Sequence, residues 1–300
     1  MISIIVPTYN RLTSLKRCVE SIILQQYEGL ELIIIDDFSK DGTVEYLKEL
    51  SAENSFIKVL FNKENFGVNY SRNRGIEIAS KKFILFLDSD DALTSGSLIK
   101  VLDTIKANSS TKHFLFIVSD RSEEFINADK TRLVKYEDWL TNEIYGDFTH
   151  VVLAEIMKRY LFFEEFRMFE HLNWLRAKKE TAPQLLVNII VAQRERDRSD
   201  SLSTNSKLQS GEVINTKFES EKMYYSLYHE DLKLYDPQSL KFKLIYTILL
   251  GVASNKKREC RSLINYAAEW PIKALGNLAM LLPPSLIQSG IIRYSKMKSH

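Results

Sequence analysis

The residues able to do chemistry gather at two places in the first hundred positions. Asp36-Asp37 and Asp88-Ser89-Asp90-Asp91 each follow a run of consecutive apolar residues, Ile33-Ile34-Ile35 and Ile84-Leu85-Phe86-Leu87. Such runs read as strands buried on both faces. In open α/β sheets, ligands bind beyond the carboxyl ends of the strands, so these five aspartates are expected to converge on one crevice. Acids so crowded repel unless a cation or a donor-rich ligand neutralises them. The guest that fits is a divalent metal, Mn²⁺ or Mg²⁺, which takes one or two carboxylates and completes its shell with phosphate oxygens. One aspartate at a strand end serves equally well as a helix cap: Asp36 or Asp37 before the next helix, Asp91 before one starting near Thr94. The set of five, rather than any member, points to a metal. No GxxxxGK[ST] and no GxGxxG occurs among the ten glycines, so a glycine cradle does not hold the phosphates and the metal must do more of it.

Such acids need a frame. Strand-like runs occur at 2–6, 30–35, 57–61, 83–87 and 114–118, separated by segments with helical spacing such as Leu15, Val19, Ile22 and Ile23, or Leu98, Val101, Leu102 and Ile105. Strands alternating with helices predict an α/β class, with a mostly parallel central sheet flanked by helices. From 131 to 179 the pattern reads as helical and aromatic, 184–193 reads as another buried strand, and the polar stretch 199–210 as a mobile loop. From 216 on the chain reads as helical, broken at Pro271 and Pro283-Pro284.

Charge divides the chain unevenly. From Leu240 onward ten Lys and Arg face two Glu, a net of +8, leaving 31 basic against 37 acidic residues, or −6, before it. A basic end on an acidic body predicts an anionic partner for that end. Nucleic acid is excluded as that partner: no recognised module appears, and the aromatics are not interleaved with the basic residues. Cys18 and Cys260 match no metal or redox spacing, which fits a reduced, cytoplasmic chain. Met1 leads straight into a strand, without the pattern of a signal peptide. No apolar stretch reaches the ~18–20 residues needed to span a bilayer. The run from Pro271 to Arg293, rich in Leu and Ile and edged by basic residues, suits the membrane interface instead, or a helical pair packed on the protein.

Four segments, in this order, carry a resemblance: Ile4-Ile5-Val6-Pro7-Thr8-Tyr9-Asn10; Ile35-Asp36-Asp37-Phe38-Ser39 with Asp41-Gly42-Thr43; Asn65-Phe66-Gly67 with Ser71-Arg72-Asn73; and Leu87-Asp88-Ser89-Asp90-Asp91. Together they resemble the successive signatures of family-2 glycosyltransferases with the GT-A fold, of the kind that builds bacterial cell-surface polysaccharide. The resemblance implies a catalytic domain over 1–215, with a nucleotide-sugar half (1–120) and an acceptor half (121–215), followed by a basic helical region (216–300) that associates with membrane. It implies that Pro7, Thr8, Asp36 and Asp37 meet the nucleoside, that Asn65 and Arg72 line the base and ribose, that Asp88 reaches the ribose or sugar and lies beside the metal, and that Asp90 ligates it. The family's acidic pair becomes Glu170-His171 here. The base is therefore Glu170, which keeps the carboxylate, or His171, which accepts a proton near neutral pH; Glu170 is preferred. Arg196 and Arg198 stand where the family folds a basic residue over the diphosphate, a task for which a fixed guanidinium fork is suited. The implied reaction moves a sugar, with inversion, from a UDP-sugar to a glycan or a polyprenyl-diphosphate-linked acceptor, in the cytoplasm or peripherally on the inner face of the membrane. Two alternatives from the same fold neighbourhood are a sugar nucleotidyltransferase, which would carry a glycine-rich segment near the first strand, and a scaffold that has lost its base.

Overall fold

Segments made of consecutive isoleucines can satisfy both their backbone and their side chains only in the middle of a covered sheet. The computed structural model, which describes residues 2–121, 130–166, 169–195, 211–265 and 270–297, puts them there. Two compact units are present: Met1–Trp139 with Ile144–Asp197, and Leu140–Glu143 with Arg198–His300.

In the first unit β1 (Ile2–Thr8), β2 (Glu31–Asp36) and β3 (Ile57–Phe61) run parallel, and β4 (Phe83–Phe86) lies parallel to β1 on its other side. The crossovers are α1 (Leu12–Ile23), α2 (Thr43–Glu53) and α3 (Val68–Ile78). The period-2 geometry of β1 sends Ile2, Ile4 and Val6 into one core layer with Leu15 and Val19 of α1, and Ile5 into the opposite layer with Ile33, Ile35 and Ile76. Helix α3 lies very close to that second face. A Cβ on Gly75 would sit 2.6 Å from Ile5 Cγ2 and 2.9 Å from Ile35 Cδ1, so only glycine permits the approach.

Past β4 the sheet becomes mixed. The chain continues through β5 (Ala92–Leu93), α4 (Ser97–Ala107), β6 (His113–Val118), β7 (Thr131–Val134), α5 (Tyr136–Leu140), β8 (Thr149–Leu153), α6 (Ala154–Arg159), α7 (His171–Thr181) and β9 (Gln184–Gln193). The spatial order is β3-β2-β1-β4-β8-β6-β9-β5, with β7 also on β9. Strand β8 is antiparallel to both β4 and β6, whereas β9 is parallel to β6. The sheet expected from the sequence is thus parallel over β1–β4 and mixed beyond. The stretch 131–179, read as helical, also holds β7 and β8. Strands of four and five residues beside short helices are too brief to impose a period of their own.

The second unit is helical: α8 (Gly211–Tyr235), α9 (Pro237–Ala253), α10 (Lys257–Asn265), α11 (Trp270–Leu281) and α12 (Pro284–Met297). Asp236 starts α9 by accepting the Ser239 N–H at 3.0 Å, with Pro237 in the first turn. Its core includes Ile214, Phe218, Leu244, Ile248, Cys260 and Leu263. No single described helix is long and apolar enough to cross a membrane; α11 and α12 together reach that composition but are bent by 107°.

Candidate active site

The loops after β1 and β2 are stitched together by their own side chains. Asn10, at a left-handed φ of 49°, donates its N–H to Ser39 Oγ at 2.8 Å and accepts the Lys40 N–H at 2.7 Å. Asp41 accepts the Leu12 N–H at 2.9 Å and the Thr43 hydroxyl at 2.6 Å, so it ties the starts of α1 and α2. Thr8 and Asp36 are register partners across β1 and β2, with buried Pro7 opposite Ile35. Asp36 accepts the Ser39 N–H at 3.0 Å through Oδ2, while its Oδ1 and the Thr8 Oγ1 are buried without a hydrogen-bond partner among the described residues. Orphaned buried oxygens call for an external partner, and a ligand's hydroxyl or ring N–H supplies one. Asp37 is engaged within the protein. It accepts Asn62 Nδ2 at 2.7 Å, the Phe66 N–H at 2.9 Å and the Gly67 N–H at 2.7 Å, which pins the turn holding half-buried Asn65 at the start of α3. Gly67 has a φ of 95°, open to glycine at no steric cost.

Arginines answer the acids past β4. Asp88 accepts Arg72 Nη2 at 2.8 Å. Asp90 pairs with Arg11, and its carbonyl accepts from Arg17, which also meets Glu195 at 2.9 Å. Asp91 lies 3.7 Å from Arg194, whose guanidinium also reaches Asp147 at 3.0 Å. Burial, then the charge of Asp88, pushes the Asp91 carboxyl up to about 7 against the pull of Arg194. Arg11, Arg17 and Arg194 were not singled out in the sequence as partners of this cluster. Charge accounting is the signal that could have found them: crowded acids require cations nearby, and Arg11 directly follows the first motif.

Glu170 closes the site from the other side. Its Oε1 lies 2.5 Å from Arg72 Nη1, so a single buried guanidinium joins Glu170 to Asp88. Burial disfavours the charge on Arg72, but Glu170 and Asp88 more than offset this and hold it firmly protonated. Burial likewise raises the Glu170 carboxyl, although Arg72 opposes the shift. His171, the first residue of α7, is exposed; its ring meets Phe169 edge-on at 6.3 Å. Trp174 one turn on stacks instead on His150, ring centres 3.9 Å apart. The segment leading to Glu170 is fastened to α3 by two asparagines that sequence reasoning passed over as ligands. Asn69 Nδ2 donates to the carbonyls of Phe163 (2.9 Å) and Phe166 (3.0 Å). Asn73 donates to the Phe162 carbonyl and to Glu164 Oε1, both at 2.9 Å, and accepts the Phe162 N–H at 2.8 Å.

Among the described residues no group of three or more His, Cys, Asp or Glu could by itself hold a metal. The donor set still fits a hard divalent cation that borrows phosphate oxygens from a substrate, because one or two carboxylates then suffice and Asp90 with Asp88 can provide them. Arg11 and Arg72 supply the positive charge at those two carboxylates. Arg196, Arg198 and the stretch 199–210, read from the sequence as a mobile loop, lie outside the described residues.

The chain is similar to known glycosyltransferases. Residues 3–165 match the family model described as Glycosyl transferase family 2. A curated relative, the GalNAc(5)-diNAcBac-PP-undecaprenol beta-1,3-glucosyltransferase of Campylobacter jejuni, is 32% identical over 188 residues, which is 60% of this chain; the match spans 60% of that relative's length. Among solved structures, S. aureus TarS 1-349 in complex with UDP-GlcNAc superposes with a TM-score of 0.63 at 14% identity, covering 99% of this chain and 92% of that one. The mannosyltransferase PcManGT of Pyrobaculum calidifontis, in complex with GDP-Man and Mn²⁺, does so at 0.58 and 14%, covering 99% and 86%. At such identities the likeness is one of fold, the GT-A arrangement of a central sheet flanked by helices.

Proposed function

Because this chain belongs to glycosyltransferase family 2, we propose that it moves a sugar from a UDP-sugar to a hydroxyl of a glycan or polyprenyl-diphosphate-linked acceptor in bacterial surface-polysaccharide synthesis, inverting the anomeric carbon. The observation that carries this reading is Arg72, which holds the candidate base Glu170 and the donor-side Asp88 on one guanidinium. Transfer needs both ends of the reaction within one site, and a base detached from the donor acids would favour an inactive scaffold instead.

In this reading Thr8 and Asp36, with their unpartnered oxygens, receive the nucleoside, and the Asp37 clamp keeps the 62–67 turn in place beside it. The acceptor hydroxyl oxygen attacks the anomeric carbon as Glu170 takes its proton, a glycosidic bond forms, and the bond to the nucleoside diphosphate breaks. A Mn²⁺ or Mg²⁺ held by Asp90 and Asp88 would supply charge stabilisation for the departing diphosphate; the Mn²⁺ bound in PcManGT supports this. Arg196 and Arg198, by their resemblance to the family's basic residues, would add positive charge to the same diphosphate. Burial of Glu170 makes it a stronger proton acceptor than a solvated carboxylate, and Arg72 keeps enough of it ionised to act. A lipid-linked acceptor, as named for the Campylobacter relative, would place the enzyme at the cytoplasmic face of the membrane.

Release of nucleoside diphosphate from a panel of UDP- and GDP-sugars with Mn²⁺, with and without a polyprenyl-diphosphate acceptor, tests the proposal. Release from at least one UDP-sugar, faster with acceptor, is the expected result. No release from any donor would leave the scaffold reading.

A further inference from the structure

We propose that the outward face of α11 seats the second unit on an anionic lipid bilayer, lying in its surface without crossing it. Around α11 the side chains sort into three arcs. Ile272, Gly276, Ala279 and Met280 face the unit's own core, with Gly276 so close to Ile264 that a Cβ would lie 2.9 Å from it. Lys273 and Asn277 form a polar edge, both exposed. The remaining arc is apolar and exposed: Trp270 (78% exposed), Leu275 (54%), Leu278 (59%) and Leu281 (79%), extended by Leu282 and Leu286 past the bend. Single exposed leucines are ordinary on soluble proteins, but a continuous helical stripe of them marks an interaction surface.

Charge selects the occupant. The unit's end carries ten Lys and Arg against two Glu from Leu240 onward, with Arg258, Arg261, Lys273 and Arg293 exposed. A second copy meeting the stripe about a two-fold axis would bring these like charges together. Anionic headgroups would pair with them while the leucines sink into the acyl boundary and Trp270 sits at its level. The end of the helix is prepared for such a place: Lys257 Nζ donates to the Met280 carbonyl at 2.7 Å, satisfying a group that lipid could not. Crossing is disfavoured by the 107° bend and by α12, whose exposed face carries Ser285, Ser289 and Arg293.

Co-sedimentation of the full chain with phosphatidylglycerol-containing vesicles, beside pure phosphatidylcholine vesicles, reads this directly, whether or not the transfer assay succeeds. Binding is expected on anionic vesicles only, weakening with salt, falling at least tenfold in Leu275→Glu/Leu278→Glu and several-fold in Lys273→Glu/Arg258→Glu. Thermal melts of these variants should match the parent, since every substituted side chain is exposed, and donor hydrolysis in solution should be unchanged. No binding to either vesicle, or unaltered binding in well-folded leucine variants, overturns the proposal. So does a dimer in sedimentation equilibrium that the leucine substitutions dissociate, which would make the stripe a subunit interface.

Discussion

At the scale of residues, Arg72 divides its charge between Asp88 and Glu170, and each partner predicts a different loss. Glu170→Gln keeps the shape but cannot accept a proton, so acceptor-dependent nucleoside diphosphate release should fall by about 10²–10⁴-fold. His171→Ala, at an exposed position, should leave it within a few-fold; the reverse ranking in a rate assay would move the base to His171. Because folding raises the Glu170 carboxyl, and only its ionised form accepts a proton, kcat/KM should climb with pH along a limb displaced above the ordinary glutamate value of about 4.3. That limb should vanish from the residual rate of Glu170→Gln. Asp90→Asn should abolish the metal-induced rise in thermal midpoint measured with Mn²⁺ and UDP, since Asp90 is the proposed ligand. The acids of this site were legible in the sequence because each closes an apolar run. Their cations were not: Arg11 is 79 residues from Asp90, and the sheet alone brings them together.

Among the elements, α3 does the most positioning. Its residues 69, 72 and 73 grip the 162–166 segment and Glu170, while Gly75 beds the helix on β1 and β2. Gly75→Ala must push Ile5 or Ile35 aside and should cost about 1–3 kcal/mol, read as a lower denaturation midpoint in urea. Helix α7 carries a second test. Lys178 is buried with its amine 3.2 Å from the centre of the Trp139 ring, and burial lowers it to about 7. The unfolded chain, with an ordinary lysine near 10.4, then binds more protons between these values, so stability should rise with pH from about 7 to about 10. Replacing Lys178 by Met should flatten that slope in melts across the window; an unchanged slope would show that the lysine is not its source. Six strands, β1 to β4, β6 and β9, could be read from runs rich in apolar residues. Strand β8 could not, although its residues are almost wholly buried: five residues between a polar turn and a short helix give no repeat to recognise.

For the whole molecule, two units with separate cores put the proposed donor site and the proposed bilayer-facing helix α11 in different units. Donor at about 100 times its Kd should stabilise the first unit by about 2.7 kcal/mol, and calorimetry should show one transition moving while the other stays. The strand order has a further consequence for the ribosome. Strand β6, six buried residues, finds both of its neighbours, β8 and β9, only in chain made later, and β4 keeps an open edge until β8 arrives. Every donor motif is therefore synthesised well before the sheet that holds it can close. A fragment ending near residue 120 would contain the recognisable signatures, yet leave β4 with a bare edge and both β5 and β6 without a partner strand, the conditions under which nascent chains stick to one another.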